Sequence, residues 1–241
     1  MQPLKIQTAV VTGASSGIGA AIALCLSAEG VKLRLIGRNA DALDAIAQGA
    51  RKNSPQVLTY RADLAVDEDL TKLQADLQHD CDGIDILVHS AGIIALGPLE
   101  SASLEDFDRQ FRTNVRAPYA LTQALLPKLR AHQGSVVFIN SSAGINTRAN
   151  ISQYSATKHA LKAVADSFRA EVNPDGIRVL TVYPGRTASP QQAAIHKAEG
   201  KTYSPQLLMQ PADVARIIVD ALKVNRTAEV TDISIRPMRK T

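Results

Sequence analysis

Short runs rich in Val, Ile and Leu alternate with longer amphipathic stretches along almost the whole chain. The apolar runs fall at residues 8–11, 32–36, 56–60, 84–89, 135–140 and 178–182, with a last one near 229–235. They carry little polar alternation, which is the pattern of parallel strands covered on both faces. Helical periodicity fills residues 18–29, 41–51, 67–78, 104–130, 152–172 and 212–224. Alternation of this kind requires right-handed crossovers, and these place helices on both sides of one sheet. The expected fold is α/β, a doubly wound parallel sheet of about seven strands. No repeat, low-complexity tract or linker divides the chain, so residues 1–241 are read as a single domain. Pro118 and Pro127 fall inside the long fourth helical stretch and predict a kink or break there. Residues 187–210 interrupt the rhythm, with Pro190, Gly200 and Pro205 around a short apolar patch. That segment follows a strand end, and reads either as a lid over a site at the carboxyl edge of the sheet or as an ordinary surface excursion.

Composition narrows the function classes. Hydrophobic content of 45% and charged content of 21% are ordinary for a globular protein. No run is long and apolar enough to predict a bilayer span, so no membrane partner is expected. The first apolar run begins about six residues after Met1, too early to leave room for a removable leader. Cys25 and Cys81 make no disulfide framework. Together these predict a cytoplasmic setting. The net charge of +4 is mildly basic, but the basic residues are scattered and only five Tyr, four Phe and no Trp offer stacking surfaces. Nucleic acid is therefore not the expected partner. The basic tail Arg236, Arg239, Lys240 reads as a frayed terminus. No metal site is expected.

Between the first strand and the first helix stands Thr12-Gly13-Ala14-Ser15-Ser16-Gly17-Ile18-Gly19. Glycines there allow a tight turn and close approach to a pyrophosphate, while the helix start offers free N–H groups and a favourable dipole. The spacing is Gly-x3-Gly-x-Gly, and its position predicts a Rossmann-like dinucleotide loop. The second strand ends Leu35-Ile36-Gly37-Arg38-Asn39, about twenty residues further on. An NAD site usually has Asp or Glu there for the ribose hydroxyls. Gly37 instead leaves space, and Arg38 supplies a fork suited to a 2′-phosphate, although an arginine can also stack on adenine. NADP(H) is expected over NAD(H). Asp41 reads as stabilising the start of the next helix.

Tyr154 and Lys158 are four apart in the stretch Ile151-Ser152-Gln153-Tyr154-Ser155-Ala156-Thr157-Lys158. On a helix that spacing puts phenol and ammonium on one face. A phenol loses its proton near pH ~10, and a neighbouring cation favours the phenolate. The pair thus suggests a proton-transfer group working near neutral pH.

With these motifs in order, the chain resembles the short-chain dehydrogenase/reductase family, in its compact single-domain form. Further matching residues are Asp63-Leu64, Asp85-Ile86-Leu87-Val88, Ser90-Ala91-Gly92, Asn114, Ser141 and Pro184-Gly185. The resemblance implies that Tyr154 is the general acid or base on the substrate oxygen and that Ser141 holds and polarises the same oxygen. It implies that Lys158 binds the nicotinamide ribose and lowers the Tyr154 pKa, and that Asn114 helps hold a water linking Lys158 to solvent. By the same resemblance Gly13, Ser15, Ser16, Gly17, Ile18 and Gly19 form the cofactor loop with Arg38. Asp63 and Leu64 lie at the adenine, Ala91 and Gly92 beside its ribose, and Pro184, Gly185 and Thr187 near the carboxamide. Asp63 also reads as a helix-entry cap. There are departures. His89-Ser90 stands where the family often has Asn-Asn, which makes His89 a packed strand-end residue. The glycine loop lacks a basic residue, and Arg186 directly follows Gly185, where it either meets an anionic substrate group or is simply solvated.

The expected activity is NAD(P)-dependent interconversion of a carbonyl and an alcohol, written as NADPH-dependent reduction. The rivals are a redox-sensing module of the same fold without turnover, and an epimerase or dehydratase of the wider superfamily. Expected partners are a small carbonyl or alcohol substrate and further copies of the chain, as a homodimer or homotetramer through the fourth and fifth helices. Expected pocket walls are Ile93, Ile94, Leu96, Ile145, Tyr183 and the 187–210 segment, giving a mostly apolar pocket.

Overall fold

The computed structural model describes residues 3–238. Seven parallel strands form one sheet: β1 (Thr8–Thr12), β2 (Lys32–Gly37), β3 (Val57–Arg61), β4 (Ile86–His89), β5 (Ser135–Ile139), β6 (Arg178–Pro184) and β7 (Asp232–Ile235). Their order is β3-β2-β1-β4-β5-β6-β7. The helices are α1 (Gly17–Ala28), α2 (Ala40–Ala50), α3 (Asp67–Asp80), α4 (Leu104–Phe111), α5 (Ala117–His132), α6 (Ser152–Val172), α7 (Pro190–Ala198) and α8 (Pro211–Leu222). The doubly wound fold expected from the alternation is the fold observed. No helix of the described residues is long and apolar enough to cross a membrane. Of the basic tail, Arg239 and Lys240 lie outside the described residues.

Strands read as continuous apolar runs because successive side chains feed two cores. Val11, Leu33, Leu35, Val88 and Val137 face α1, α2 and α8 through Ile22, Leu26, Leu43 and Ile218. Their neighbours Val10, Leu87, Val136 and Phe138 face α3, α5 and α6 through Leu73, Leu77, Leu125 and Leu161. A side chain pointing to either face is buried, so little polar alternation remains.

Two elements differ from the expected ones. The long fourth helix is not interrupted at either proline: it runs on from Leu104 to His132, and residues Arg112–Arg116, ahead of both prolines, form a π-helical turn between α4 and α5. Ala117 N–H donates to the Arg112 carbonyl, one residue wider than an α-helix allows. Pro118 follows in the first turn of α5, where its missing N–H is tolerated, and Pro127 is carried inside that helix. Second, the 187–210 segment contains the unforeseen helix α7. Its start was written in Ser189-Pro190: the Ser189 hydroxyl accepts from Gln192 N–H at 3.1 Å and proline holds the first turn.

The strand order reverses between β1 and β4, so the loops leaving these two strands part and open a crevice at the carboxyl edge. Thr12 ties its floor, its hydroxyl accepting from Ser90 and Ala91 N–H at 3.0 and 3.1 Å. Gly13 has φ +67, and a Cβ there would stand 2.7 Å from the Ala91 nitrogen. Both the backbone angle and the space exclude a side chain. Gly13→Ala is expected to cost about 3 kcal/mol or more. For a chain of this size that lowers Tm by roughly 6 °C or more; an unchanged melting temperature contradicts the reading.

Candidate active site

The crevice is a cleft of about 610 Å³ running from the glycine loop to the start of α7. At one end Gly13, Ser15, Ser16, Gly17 and Ile18 line it together with Arg38, Asp63 and Leu64. Ser16 holds extended backbone before α1 and makes no side-chain cap, which leaves the helix start facing the cleft without a capping oxygen. Such a cradle fits a diphosphate. Gly37 lies against Ser15 and Leu43, where an added Cβ would meet their side chains at 3.1 and 3.3 Å, so glycine here serves close packing of the loop and not the open space expected beside Arg38. Asp63 is more constrained than either sequence reading supposed. One carboxylate oxygen accepts from Ala65 N–H at 3.1 Å, as a local cap does. The other accepts from Arg109 of α4 at 2.7 Å, with Arg38 3.9 Å away. Asn39 caps α2 by accepting from Ala42 N–H, and Asp41 stands in its first turn as expected.

Ser141, Tyr154 and Lys158 stand together in the lining of the cleft, which Ala91 and Gly92 also line. Ser141 follows β5 and opens a short 3-10 turn, its hydroxyl accepting from Ala143 N–H at 3.1 Å. Asn140, buried and not singled out from sequence, sets this geometry. Its amide donates to the Lys158 carbonyl at 3.0 Å and its oxygen accepts from Ser141 N–H at 2.8 Å, so the end of β5 and the start of α6 are tied through one side chain. The signal was a polar residue closing the run Val136-Val137-Phe138-Ile139.

Lys158 is buried, and its ammonium donates to the Ile139 carbonyl at 3.0 Å. Burial pulls its pKa down to about 8. Tyr154 behaves differently from the expectation. Burial pushes its phenol above the usual range, and the Ser141 hydroxyl, which works the other way, does not win. The Lys158 nitrogen sits 5.8 Å from the centre of the Tyr154 ring and is directed to Ile139, so no lowering of the Tyr154 pKa results in this arrangement.

Asn114 and Gly19, expected in the site, stand behind its walls. Asn114 is fully buried in the π-helical turn, donating to the Ile93 carbonyl and the Thr157 hydroxyl and accepting from Ile93 N–H. It still reaches the site from below: a Cβ on Gly92 would stand 3.5 Å from its oxygen and 3.7 Å from the Lys158 nitrogen. His89 is the packed residue foreseen, stacked on Phe138 and bonded to Thr122, with burial pulling its pKa down to about 3.

Pro184, Gly185 and Thr187 line the far end with Ser189, Gln191 and Gln192 of the α7 start, which fall within the 187–210 segment expected among the walls. Of the expected apolar walls, Ile93 and Ile94 are in place. Leu96 lines a separate small cavity, Ile145 is exposed and Tyr183 is buried within β6. Arg186 is neither free nor simply solvated: its Nη2 donates to both oxygens of Glu199, at 2.9 and 2.7 Å.

The short chain dehydrogenase family model matches residues 7–200. A Staphylococcus aureus protein described as an uncharacterised oxidoreductase is 30% identical over 239 residues, covering 99% of this chain and all of that one. Among solved structures, an alcohol dehydrogenase from the archaeon Thermococcus sibiricus, complexed with 5-hydroxy-NADP, superposes with a TM-score of 0.88 at 25% identity. It covers 98% of this chain and 99% of its own. L-sorbose reductase from Gluconobacter frateurii, complexed with NADPH and L-sorbose, gives 0.89 at 26% identity, over 99% and 98% of the two chains. Fold, cleft and relatives together define an NAD(P)-dependent oxidoreductase. The chain belongs to the short-chain dehydrogenase family.

The Lys158 environment has a measurable consequence. Between about pH 8 and the ordinary lysine value the folded chain is neutral at Lys158 while the unfolded chain is charged. The unfolded state then binds more protons, so this group makes stability rise with pH across that window. In urea unfolding without cofactor, the wild type is expected to gain stability relative to Lys158→Met between pH 7.5 and 9.5. Parallel pH profiles for the two proteins contradict it.

Proposed function

We propose that the protein reduces a carbonyl to an alcohol with NADPH, Tyr154 acting as the proton donor. The observation that carries this reading is the shared wall of Ser141, Tyr154 and Lys158, set in the same cleft as the glycine loop and Arg38. Gly13, Ser15, Ser16, Gly17 and Ile18 would hold the diphosphate, with Gly19 allowing the close turn beneath it. Arg38 would take the 2′-phosphate, Asp63 and Leu64 the adenine side, and Ala91 and Gly92 its ribose. Pro184, Gly185 and Thr187 would border the nicotinamide. When bound, the reduced nicotinamide supplies the hydride.

Each side chain then has a separate task. Ser141 donates a hydrogen bond to the substrate oxygen and fixes it beside Tyr154. As negative charge develops on that oxygen, Tyr154 gives up its phenolic proton to it. A phenol raised by burial is a poor acid alone. Lys158, once drawn from Ile139 towards a ribose, would bring its positive charge to bear on the resulting phenolate. Asn114, fixed by Ile93 and Thr157 below Gly92, would hold the water that returns the proton. We also propose self-association through the expected fourth and fifth helices, which are α4 with α5, and α6; Leu104, Phe111 and Tyr119 are exposed apolar side chains on the first of these.

Tyr154→Phe is expected to bind NADPH with an affinity near that of the wild type while losing turnover about 10²-fold or more. Retained turnover removes Tyr154 from the role. Arg38→Asp is expected to reverse the selectivity towards NAD(H), read as the ratio of kcat/KM for the two cofactors; unchanged selectivity refutes the assignment of Arg38. Light scattering at micromolar concentration is expected to give a dimer or tetramer, and a monomer rejects the association.

A further inference from the structure

The far end of the cleft holds a charge arrangement that carbonyl reduction itself does not require. Glu199, just past α7, is largely buried and receives three cations. Arg186 donates to both its oxygens, Lys201 approaches to 3.1 Å, and Arg148 reaches across from the loop before α6 to bond at 2.8 Å. Burial would raise the Glu199 carboxyl, but Arg186, Lys201 and Arg148 outweigh it and hold the value down to about 2. One carboxylate thus stands against three cations, and Arg186 and Lys201 already match it without Arg148.

Arg148 and Lys201 are both about half-exposed, and of these two only Arg148 lines the cleft. It stands there beside Ser142 and Ile151, six residues before Tyr154. Its side chain is 52% exposed, and it spends a single nitrogen on Glu199. Among the described residues its other guanidinium nitrogens have no hydrogen-bond partner. The acids lining the cleft reduce to Asp63, at the opposite end and already paired with Arg109. The substrate end is therefore positive, with neutral Ile94, Gln191 and Ile195 around it.

We infer that Arg148 is a specificity residue, reading a carboxylate carried by the substrate some atoms away from its reactive carbonyl. A planar guanidinium with free donors matches a carboxylate in shape as well as charge. Glu199 keeps Arg148 extended over the cleft while remaining bonded to Arg186 and Lys201, so the incoming group need not displace it. This inference rests on the proposed carbonyl reduction and narrows its substrate class to keto acids.

The test compares 4-oxopentanoate, 5-oxohexanoate and 6-oxoheptanoate with their methyl esters, using NADPH. At one chain length the acid is expected to exceed its ester about tenfold or more in kcat/KM. Arg148→Gln should bring that ratio to about one, whereas Glu199→Gln, which frees Arg148, should keep or raise it. Equal use of acid and ester by the wild type overturns the inference. So does a ratio that survives Arg148→Gln, or one that Glu199→Gln lowers equally, which would make the pair a latch only. Should no carbonyl be turned over, the proposed reaction fails, and binding decides the inference alone. Hexanoate, titrated into the NADPH complex and followed by nicotinamide fluorescence, is expected to bind about tenfold tighter than hexanamide, and equally in Arg148→Gln. No such difference, or a hexanoate that competes with NADPH, refutes it.

Discussion

The contact between the turn after β1 and the turn after β4 decides the shape of everything above the sheet. These strands are neighbours at the point where the strand order reverses, and their loops must leave in opposite directions. Gly13 permits the backbones to touch there, and Thr12 fastens the far side by accepting from two consecutive amides. A bulkier turn would separate β1 from β4 or fill the crevice. With the floor set this low, loops from β1 through β6 can all face one cleft, although its lining residues span positions 13 to 195.

A second set of ties fixes the reactive wall. Asn140 joins Ser141 to the helix that carries Lys158, and Asn114 joins Ile93 to Thr157 of the same helix. All are buried polar groups with partners, so loss of one would leave another unsatisfied in a low-dielectric interior. The wide turn at Arg112–Arg116 belongs to this set, since it is the segment that brings Asn114 under Gly92. π-helical turns recur where a helix must aim a side chain at a site.

The sheet was legible because strands buried on both faces write an unbroken apolar signature, and six of the seven lie within two residues of the expected span at both ends. The glycine loop was legible because its position after the first strand carries the physical reason for its composition. Less could be read where the outcome hangs on distant partners. The wide turn at Arg112–Arg116 carries Asn114 against Ile93, a partner the helical pattern does not record, so the prolines gave its neighbourhood and not its place. Helix α7 announced itself through Ser189-Pro190, but nine residues with little apolar periodicity hid it. Glu199 meets Arg148 from 51 residues away, which no local pattern records. The direction of the Tyr154 shift was missed for a related reason. Spacing put an amine beside the phenol, while the carbonyl of Ile139, on another element, draws that amine aside. Tyr183 and Ile145 show the limit of hydrophobicity as a guide to pockets: one went to the core and the other to solvent.

In the proposed reaction the phenol of Tyr154 faces the reacting carbon while Lys158 turns from the protein backbone to the cofactor. A crystal structure with NADP bound tests this most directly. The nicotinamide ring is expected opposite Tyr154 and Ser141, with room for a small ligand between, and the Lys158 nitrogen within hydrogen-bond distance of the adjoining ribose. A ring lodged elsewhere, or Tyr154 turned from it with the gap closed, would contradict the proposed reaction.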